Sequence, residues 1–466
     1  MTVASGTALA RVTIATPERS IDVALPEDVA VADLLPYILR HAGADAPDAG
    51  ERHGGWVLRR PDGTRVDSRR TLGAQEVRDG EVMHLVPGHA EWPEPEYDDV
   101  VETIASGARR HGRSWGGDAT RRCTLAVCAV VLAVGTAFLL VFEPPWLLPG
   151  LALLGVALVL TAAGAAVARA IPDAGAGAVL AGSGLLYALA GGWVVTGPAH
   201  ATPAEFGSPQ LLLAAVTVVV FGVVGYLGVS AMARVFAAAV TAGLLGVLGA
   251  LLAGPLGADG SAAVVLTVGI GLLPAFPMLA IRLGRLPMPA LPQSSADLLA
   301  DEPVPPSTGV FAAAVRTDEM LSGLLAGLAV AGVLSCVVLA LSPGTTSLIL
   351  LGAVAVALLL RARLFAVGRQ RVPLLVAGSV SAALVLASFV GMAQTNTARL
   401  LLLVALVAIV GLVAFAGLTY SRRNPSPYLG RIADVLDVVA ILALVPLTCL
   451  LTGLFTYVQG LMAGIG

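Results

Sequence analysis

Residues 275–292 read AFPMLAIRLGRLPMPALP. An apolar run stops at Arg282 and Arg285, and prolines follow at Pro287, Pro289 and Pro292. Arginines at the end of such a run suit side chains that snorkel to lipid headgroups from a bilayer-crossing helix. Pro274 and Pro277 are expected to kink the last turns of that helix. Pro287, Pro289 and Pro292 favour an extended path, because each fixes its own φ and disfavours helix in its predecessor. The loop predicted from Arg282 to Glu319 is long for a compact bundle. Two uses stay open for it: a helix stop with a flexible linker, or a semi-rigid strap docked on another subunit.

Working outward, the whole composition agrees with a membrane protein. The 466 residues are 57% hydrophobic and 13% charged, with a mean hydropathy of +0.86; soluble domains carry about 25% charged residues. Charge is concentrated early. Residues 1–122 hold 15 of the 28 basic and 20 of the 31 acidic residues, so a soluble head precedes a membrane body. Every basic residue is Arg, which suggests a GC-rich genome and carries no functional message. Cys123, Cys128, Cys336 and Cys449 lie in apolar runs without CxxC spacing and read as small buried hydrophobes. The N-terminus lacks a charged n-region followed by an apolar stretch, so no cleaved signal peptide is expected.

A helix needs about 20 mostly apolar residues to cross the hydrocarbon. That ruler predicts eleven spans, near 123–142, 147–168, 175–197, 210–230, 235–256, 261–281, 320–342, 345–360, 372–393, 399–419 and 438–463. Alternate loops carry Arg169, Arg234, Arg282, Arg285, Arg316, Arg361, Arg363, Arg369, Arg371, Arg422, Arg423 and Arg431; the intervening loops carry Arg399 alone. Basic residues resist translocation, so the head is expected in the cytoplasm and the C-terminus outside a bacterial plasma membrane. Apart from Arg399, the first residue of the tenth, the eleven predicted spans contain no Asp, Glu, Arg or His. Intramembrane charges normally mark ion pathways, so a proton-coupled pump is disfavoured. Gly246, Ala250 and Gly254 form a small-residue row in the fifth span, suited to close packing within the chain or to a subunit contact.

The head opens with two alternating runs, ARVTIAT (10–16) and SIDVALP (20–26), which read as a hairpin. EDVAVADLLPYILRHAG (27–43) has a helical apolar stripe, awkward only at Pro36. WVLRR and TRV around the turn PDG, then EVMHLVP, complete a ββαββ order, that of a β-grasp.

Residues 63–87, GTRVDSRRTLGAQEVRDGEVMHLVP, resemble the second half of ubiquitin. With eleven spans behind it, and with LPMPALP (286–292) and SPYLGRIADVLD (426–437), the chain resembles EccD, a membrane component of the ESX (type VII) secretion systems, with a YukD-like head. The resemblance implies an all-α membrane bundle of 11 transmembrane helices behind an N-terminal α+β ubiquitin-like β-grasp domain. It also implies export of WXG100-type and PE/PPE or Esp-like proteins, EccB, the FtsK-like ATPase EccC and EccE as partners, and an EccD homodimer around a lipid-facing cavity. Ubiquitin's signalling chemistry is not implied, because the head runs on into PGHAEWPEPEYDD and has no free C-terminal Gly-Gly.

The domain reading is 1–90 for the cytoplasmic head, 91–122 for an acidic linker and juxtamembrane helix, and 123–466 for the membrane domain. Val100, Val101, Ile104, Ala105 and Ala108 recur at helical spacing, with acids before them and Arg109, Arg110 and Arg113 after. That order suits the helix dipole and an amphipathic helix lying on anionic lipids or against a neighbour. Asp434 and Asp437 stand near Arg431. Helix-entry electrostatics with a local ion pair is one reading of them, and anchoring of a partner is the other. GxxxxGK[ST], HExxH and GxSxG are missing, and His84 with His89 reads as structural. No catalysis, cofactor, metal or nucleic-acid partner is expected. The leading expectation is a structural subunit of an export machine; the alternative is a secondary transporter or channel with a regulatory head.

Overall fold

The computed structural model describes residues 9–16, 20–42, 55–87, 116–170, 174–229, 231–287, 307–342, 344–420 and 426–463. The chain divides into two units, Met1–Trp115 and Gly116–Gly466.

In the first unit, strand β1 (Leu9–Ala15) pairs antiparallel with β2 (Ser20–Pro26), from Leu9↔Pro26 to Ala15↔Ser20. Strand β4 (Glu81–Pro87) lies parallel to β1, and β3 (Trp56–Arg59) lies antiparallel to β4, giving the order β2-β1-β4-β3. Ala10, Val12 and Ile14 alternate into the core, as a half-buried strand requires. They meet Leu25, Val31, Ile38, Leu58, Leu72 and Met83. Helix α1 (Val31–Ala42) starts two residues before Asp33 and carries Pro36 inside it, without the N–H that would bond the carbonyl of Ala32. The predicted strand TRV is not formed. Arg65 makes an isolated bridge to Arg59, and the Val66 N–H donates to the Leu58 carbonyl at 2.9 Å.

The second unit is helical: α2 (Gly117–Gly135), α3 (Leu147–Ala170), α4 (Ala174–Val194), α5 (Ser208–Gly228), α6 (Ala233–Leu272), α7 (Phe276–Gly284), α8 (Ser307–Leu341), α9 (Thr345–Arg361), α10 (Gly368–Met392), α11 (Asn396–Tyr420), α12 (Pro427–Leu451) and α13 (Leu454–Ala463). Ten helical stretches among the described residues are long and apolar enough to cross a membrane. The predicted fifth and sixth spans are joined in one of these, Ala233–Gly284, which is 52 residues long. At about 1.5 Å per residue that exceeds two bilayer cores of about 30 Å. The run breaks at Gly257, whose φ of 75° suits a residue without Cβ, just after Pro255. Two crossings therefore share one helical run.

Three boundaries differ from the prediction. Helix α8 begins at Ser307 instead of 320, so much of the expected 282–319 loop is helix: α7 ends at Gly284 and α8 has already begun by Ser307. The last span is displaced from 438–463 to Pro427–Leu451, and Gly453 (φ 72°) separates it from the short α13. Charged residues consequently stand inside helices: Asp259 in α6, Arg316, Asp318 and Glu319 in α8, Arg361 in α9, and Asp434 and Asp437 in α12. Pro274 lies in a 3-10 turn, Leu273–Ala275, that joins α6 to α7.

The main core gathers Leu266, Ile270, Leu325, Leu339, Leu350 and Leu374 from α6, α8, α9 and α10. The tightest crossing there is set by Gly323 and Gly327 of α8. A Cβ on Gly323 would come within 2.6 Å of the Arg234 carbonyl oxygen, and one on Gly327 within 2.6 Å of Thr241 Cβ. Small residues let two membrane helices approach to backbone contact, which is where packing energy in lipid comes from.

Candidate functional site

Among the described residues, arginine-bearing segments predicted for alternate loops meet carboxylates at one end of the helices α6, α8, α9, α10 and α12. The Arg363 Nη2 pairs with Asp434 Oδ1 at 2.5 Å, and Arg361 Nε faces Asp437 Oδ1 at 3.6 Å. The second pair joins α9 to α12, and the first joins α12 to the 3-10 turn Ala362–Leu364 that follows α9. Arg361 and Asp437 are mostly buried, and these two atoms have no hydrogen-bond partner among the described residues. The Ala233 N–H, at the start of α6, donates to Glu319 Oε2 of α8 at 2.9 Å, which places a carboxylate at a positive helix terminus. The Gln370 amide of α10 donates to Asp318 Oδ1 of α8 at 2.6 Å, and the Arg169 guanidinium reaches the Leu227 carbonyl at 3.4 Å.

This lattice corrects the local pairing expected for the α12 carboxylates. Asp434 and Asp437 take their partners from Arg363 and Arg361, some seventy positions away, and Arg431 is exposed. Arg282 is exposed in the last turn of α7, Arg285 closes that helix at φ 53° with its N–H on the Arg282 carbonyl, and Pro287 is exposed. Arg109, Arg110, Arg113, Pro289 and Pro292 lie outside the described residues. Of the small-residue row, a Cβ on Gly246 would meet Ala215 of α5 at 3.1 Å, Ala250 is buried, and Gly254 faces open space. The close-packing pair that sequence reasoning missed is Gly323 and Gly327, a GxxxG spacing present in the sequence.

The opposite end is held differently. The Trp146 indole N–H donates to the Ala201 carbonyl at 3.0 Å, and that of Trp193 to the Pro203 carbonyl at 3.1 Å. Phe206 stands edge-on to Trp146 with ring centroids 5.8 Å apart. Aromatic rings with one polar atom suit the membrane–water boundary.

Among the described residues no group of three or more His, Cys, Asp or Glu could hold a metal ion. The lattice fixes helices against one another. Asp318, Glu319, Asp434 and Asp437 are each engaged by a partner on another segment.

Two family models match this chain. One, described as the EccD-like transmembrane domain, covers residues 120–461. The other, described as protein YukD of the WXG100 protein secretion system (Wss), covers residues 9–85. The chain is 28% identical over 360 residues to the ESX-4 secretion system protein eccD4 of two Mycobacterium tuberculosis strains, CDC 1551 / Oshkosh and H37Rv, covering 71% of this chain and 70% of the relative. Among solved structures, protomer 1 of the ESX-3 core complex is similar with a TM-score of 0.58 at 21% identity, over 96% of this chain and 100% of that one. A chain of the MycP5-free ESX-5 inner membrane complex in State II is similar with a TM-score of 0.55 at 20% identity, over 89% and 100%. At those identities the two structures speak to the fold.

Proposed function

This chain belongs to the EccD family, and we propose that it works as a scaffold inside a type VII (ESX) secretion complex whose energy comes from another subunit. It is a multi-pass membrane protein and a structural component of that system. The observation that carries this reading is the pairing, on one chain and in this order, of a YukD-type head at 9–85 with an EccD-type membrane domain at 120–461. The scaffold role is supported by an arginine-bearing end built from interhelical ties. It is also supported by the missing nucleotide-binding motif in the sequence.

In this reading the β-grasp head, with the tether 91–122, docks a cytoplasmic partner. EccB, the EccC ATPase, EccE and a second copy of this chain surround the membrane domain, and the exported proteins are of the WXG100 type. The chain itself performs no catalysis. The head lies in the cytoplasm and the C-terminus outside. Alkaline phosphatase fused after Gly466 is therefore active, and fused near Gln293 inactive.

Deleting the gene tests the function. Export of small helical WXG100-type proteins into the medium stops, and the full chain restores it. Export that continues without the chain contradicts the reading. Restoration by residues 116–466 alone removes the docking role of the head and leaves the membrane role standing.

A further inference from the structure

Two neighbouring cavities open between α5, α6, α7 and α8. The first, of about 290 Å³, is a slot walled by Val223, Phe236, Val240, Leu244, Leu283 and Leu324, with Thr241 and Tyr226 supplying its polar atoms. The second, of about 680 Å³, is bordered by Met232, Phe311, Val315, Arg316 and Glu319. They adjoin: Tyr226 lines both, and Glu319 of the second directly precedes Met320 of the first.

Their depth in the bilayer follows from α8. That helix ends at Leu341. About 20 residues at about 1.5 Å each cover the hydrocarbon core, which therefore reaches back to around residue 322. Arg316 then stands about 9 Å beyond it, at headgroup level. The slot runs inward from that boundary, with Met320 at its edge and Leu324 and Leu244 on the hydrocarbon side, and the larger cavity lies on the headgroup side.

Their chemistry differs in the same sense. Arg316 is exposed, and no described carboxylate lies within ion-pairing distance of it. The Glu319 carboxylate is already engaged by the Ala233 N–H at 2.9 Å. Phe311 is 72% exposed and Val315 49%, so apolar side chains flank a cation that has no ion-pair partner among the described residues, on a stretch of helix outside the hydrocarbon. An apolar slot that reaches acyl depth beside a guanidinium at phosphate depth, unpaired among the described residues, complements one kind of molecule.

We propose that the two cavities form a single phospholipid site, with an acyl chain in the slot and the phosphate on Arg316. The guanidinium donates to the phosphate oxygens, a charge-assisted contact for which Arg is geometrically suited. Phe311 and Val315 cover the glycerol and upper acyl carbons. The site lies within one chain and needs no second copy.

Native mass spectrometry of the purified full chain, delipidated and titrated with phosphatidylethanolamine or phosphatidylglycerol, tests this. One tightly held diacyl lipid is expected per chain. Arg316→Gln weakens it about tenfold, in line with the loss of a charge-assisted hydrogen bond, and Leu283→Trp, which fills the slot, removes it. Arg399→Gln, at the other end of the bundle, leaves it unchanged. A preference between the two lipids identifies the headgroup. Glycerophosphoethanolamine binding as tightly as the diacyl lipid overturns the proposal in favour of a simple phosphate site. Retention of the lipid in both Arg316→Gln and Leu283→Trp also overturns it. A photoreactive benzoylphenylalanine at position 311 reports the occupant directly. A lipid-mass adduct is expected, and an adduct with residues 288–306 of the chain itself contradicts the proposal.

Discussion

Helices α8 and α11 are both long and strongly apolar, and they face opposite fates. More than half of the most apolar stretch of α8 is buried inside the bundle, whereas no residue of α11 is. Hydropathy does not separate them. What separates them is the surface each offers: α8 presents Gly323 and Gly327 to the backbone of α6, while Gly411 and Gly417 of α11 meet nothing within 4 Å. In lipid, apolar surface alone gives helices no reason to associate; close backbone approach does. Helix α8 is thus committed to its own chain, and α11 faces lipid or a neighbouring subunit. Helix α2 resembles α11 in burying none of its span.

The sharpest way to break this comparison is to place one side chain in both helices. Gly327→Leu forces a branched side chain against α6 and is expected to cost about 3 kcal/mol or more, read by thermal unfolding in detergent. Gly411→Leu is expected to change the unfolding of the isolated chain by less than about 0.5 kcal/mol. Equal effects would dissolve the distinction.

Commitment also has an electrostatic form in α12, whose outer face is bare but whose Asp437 is tied to Arg361. Asp437→Leu leaves a mostly buried guanidinium without its partner, for an expected loss of about 3 kcal/mol. Adding Arg361→Leu recovers most of that loss, because apolar replacement of a buried pair is close to neutral. Asp434→Ala breaks the neighbouring exposed pair, where Asp434 is 71% accessible, and costs under about 1 kcal/mol.

The smallest expected effect lies in the soluble head. The Thr64 hydroxyl and N–H donate to Asp62 at 2.7 and 2.8 Å and hold its carboxyl below the ordinary value. A depressed folded-state pKa contributes stability that is present above the unfolded value of about 3.9. That stability is lost as pH falls through the folded value. The head therefore loses slightly more stability on acidification below about pH 4 than the Asp62→Asn variant does, in paired thermal melts.

How legible this was in the sequence differs by region. The head was legible because period-two alternation in Ala10, Val12 and Ile14 and the turns PDG and RDG are local signals. The eighth span, 345–360 in the sequence, is the helix Thr345–Arg361 extended by a 3-10 turn to Leu364, with Leu350, Leu351 and Val354 fully buried. The start of the last span was misjudged because Asp434 and Asp437 read as an edge of the membrane; their partners, Arg361 and Arg363, are remote in sequence. The break at Gly257 falls in the gap between the predicted fifth and sixth spans, and glycine and proline bend the helical run there without ending it. Gly323 and Gly327 were passed over for Gly246, Ala250 and Gly254, since spacing alone does not say which small-residue row meets a backbone.

The central claim is that this polypeptide braces a larger machine and is driven by a motor it does not encode. Its most direct test is the mass and composition of what copurifies with the tagged chain after gentle detergent extraction. A megadalton-scale assembly that contains an ATPase is the result predicted. A small oligomer that, once reconstituted alone, takes up a solute along an ion gradient would contradict it.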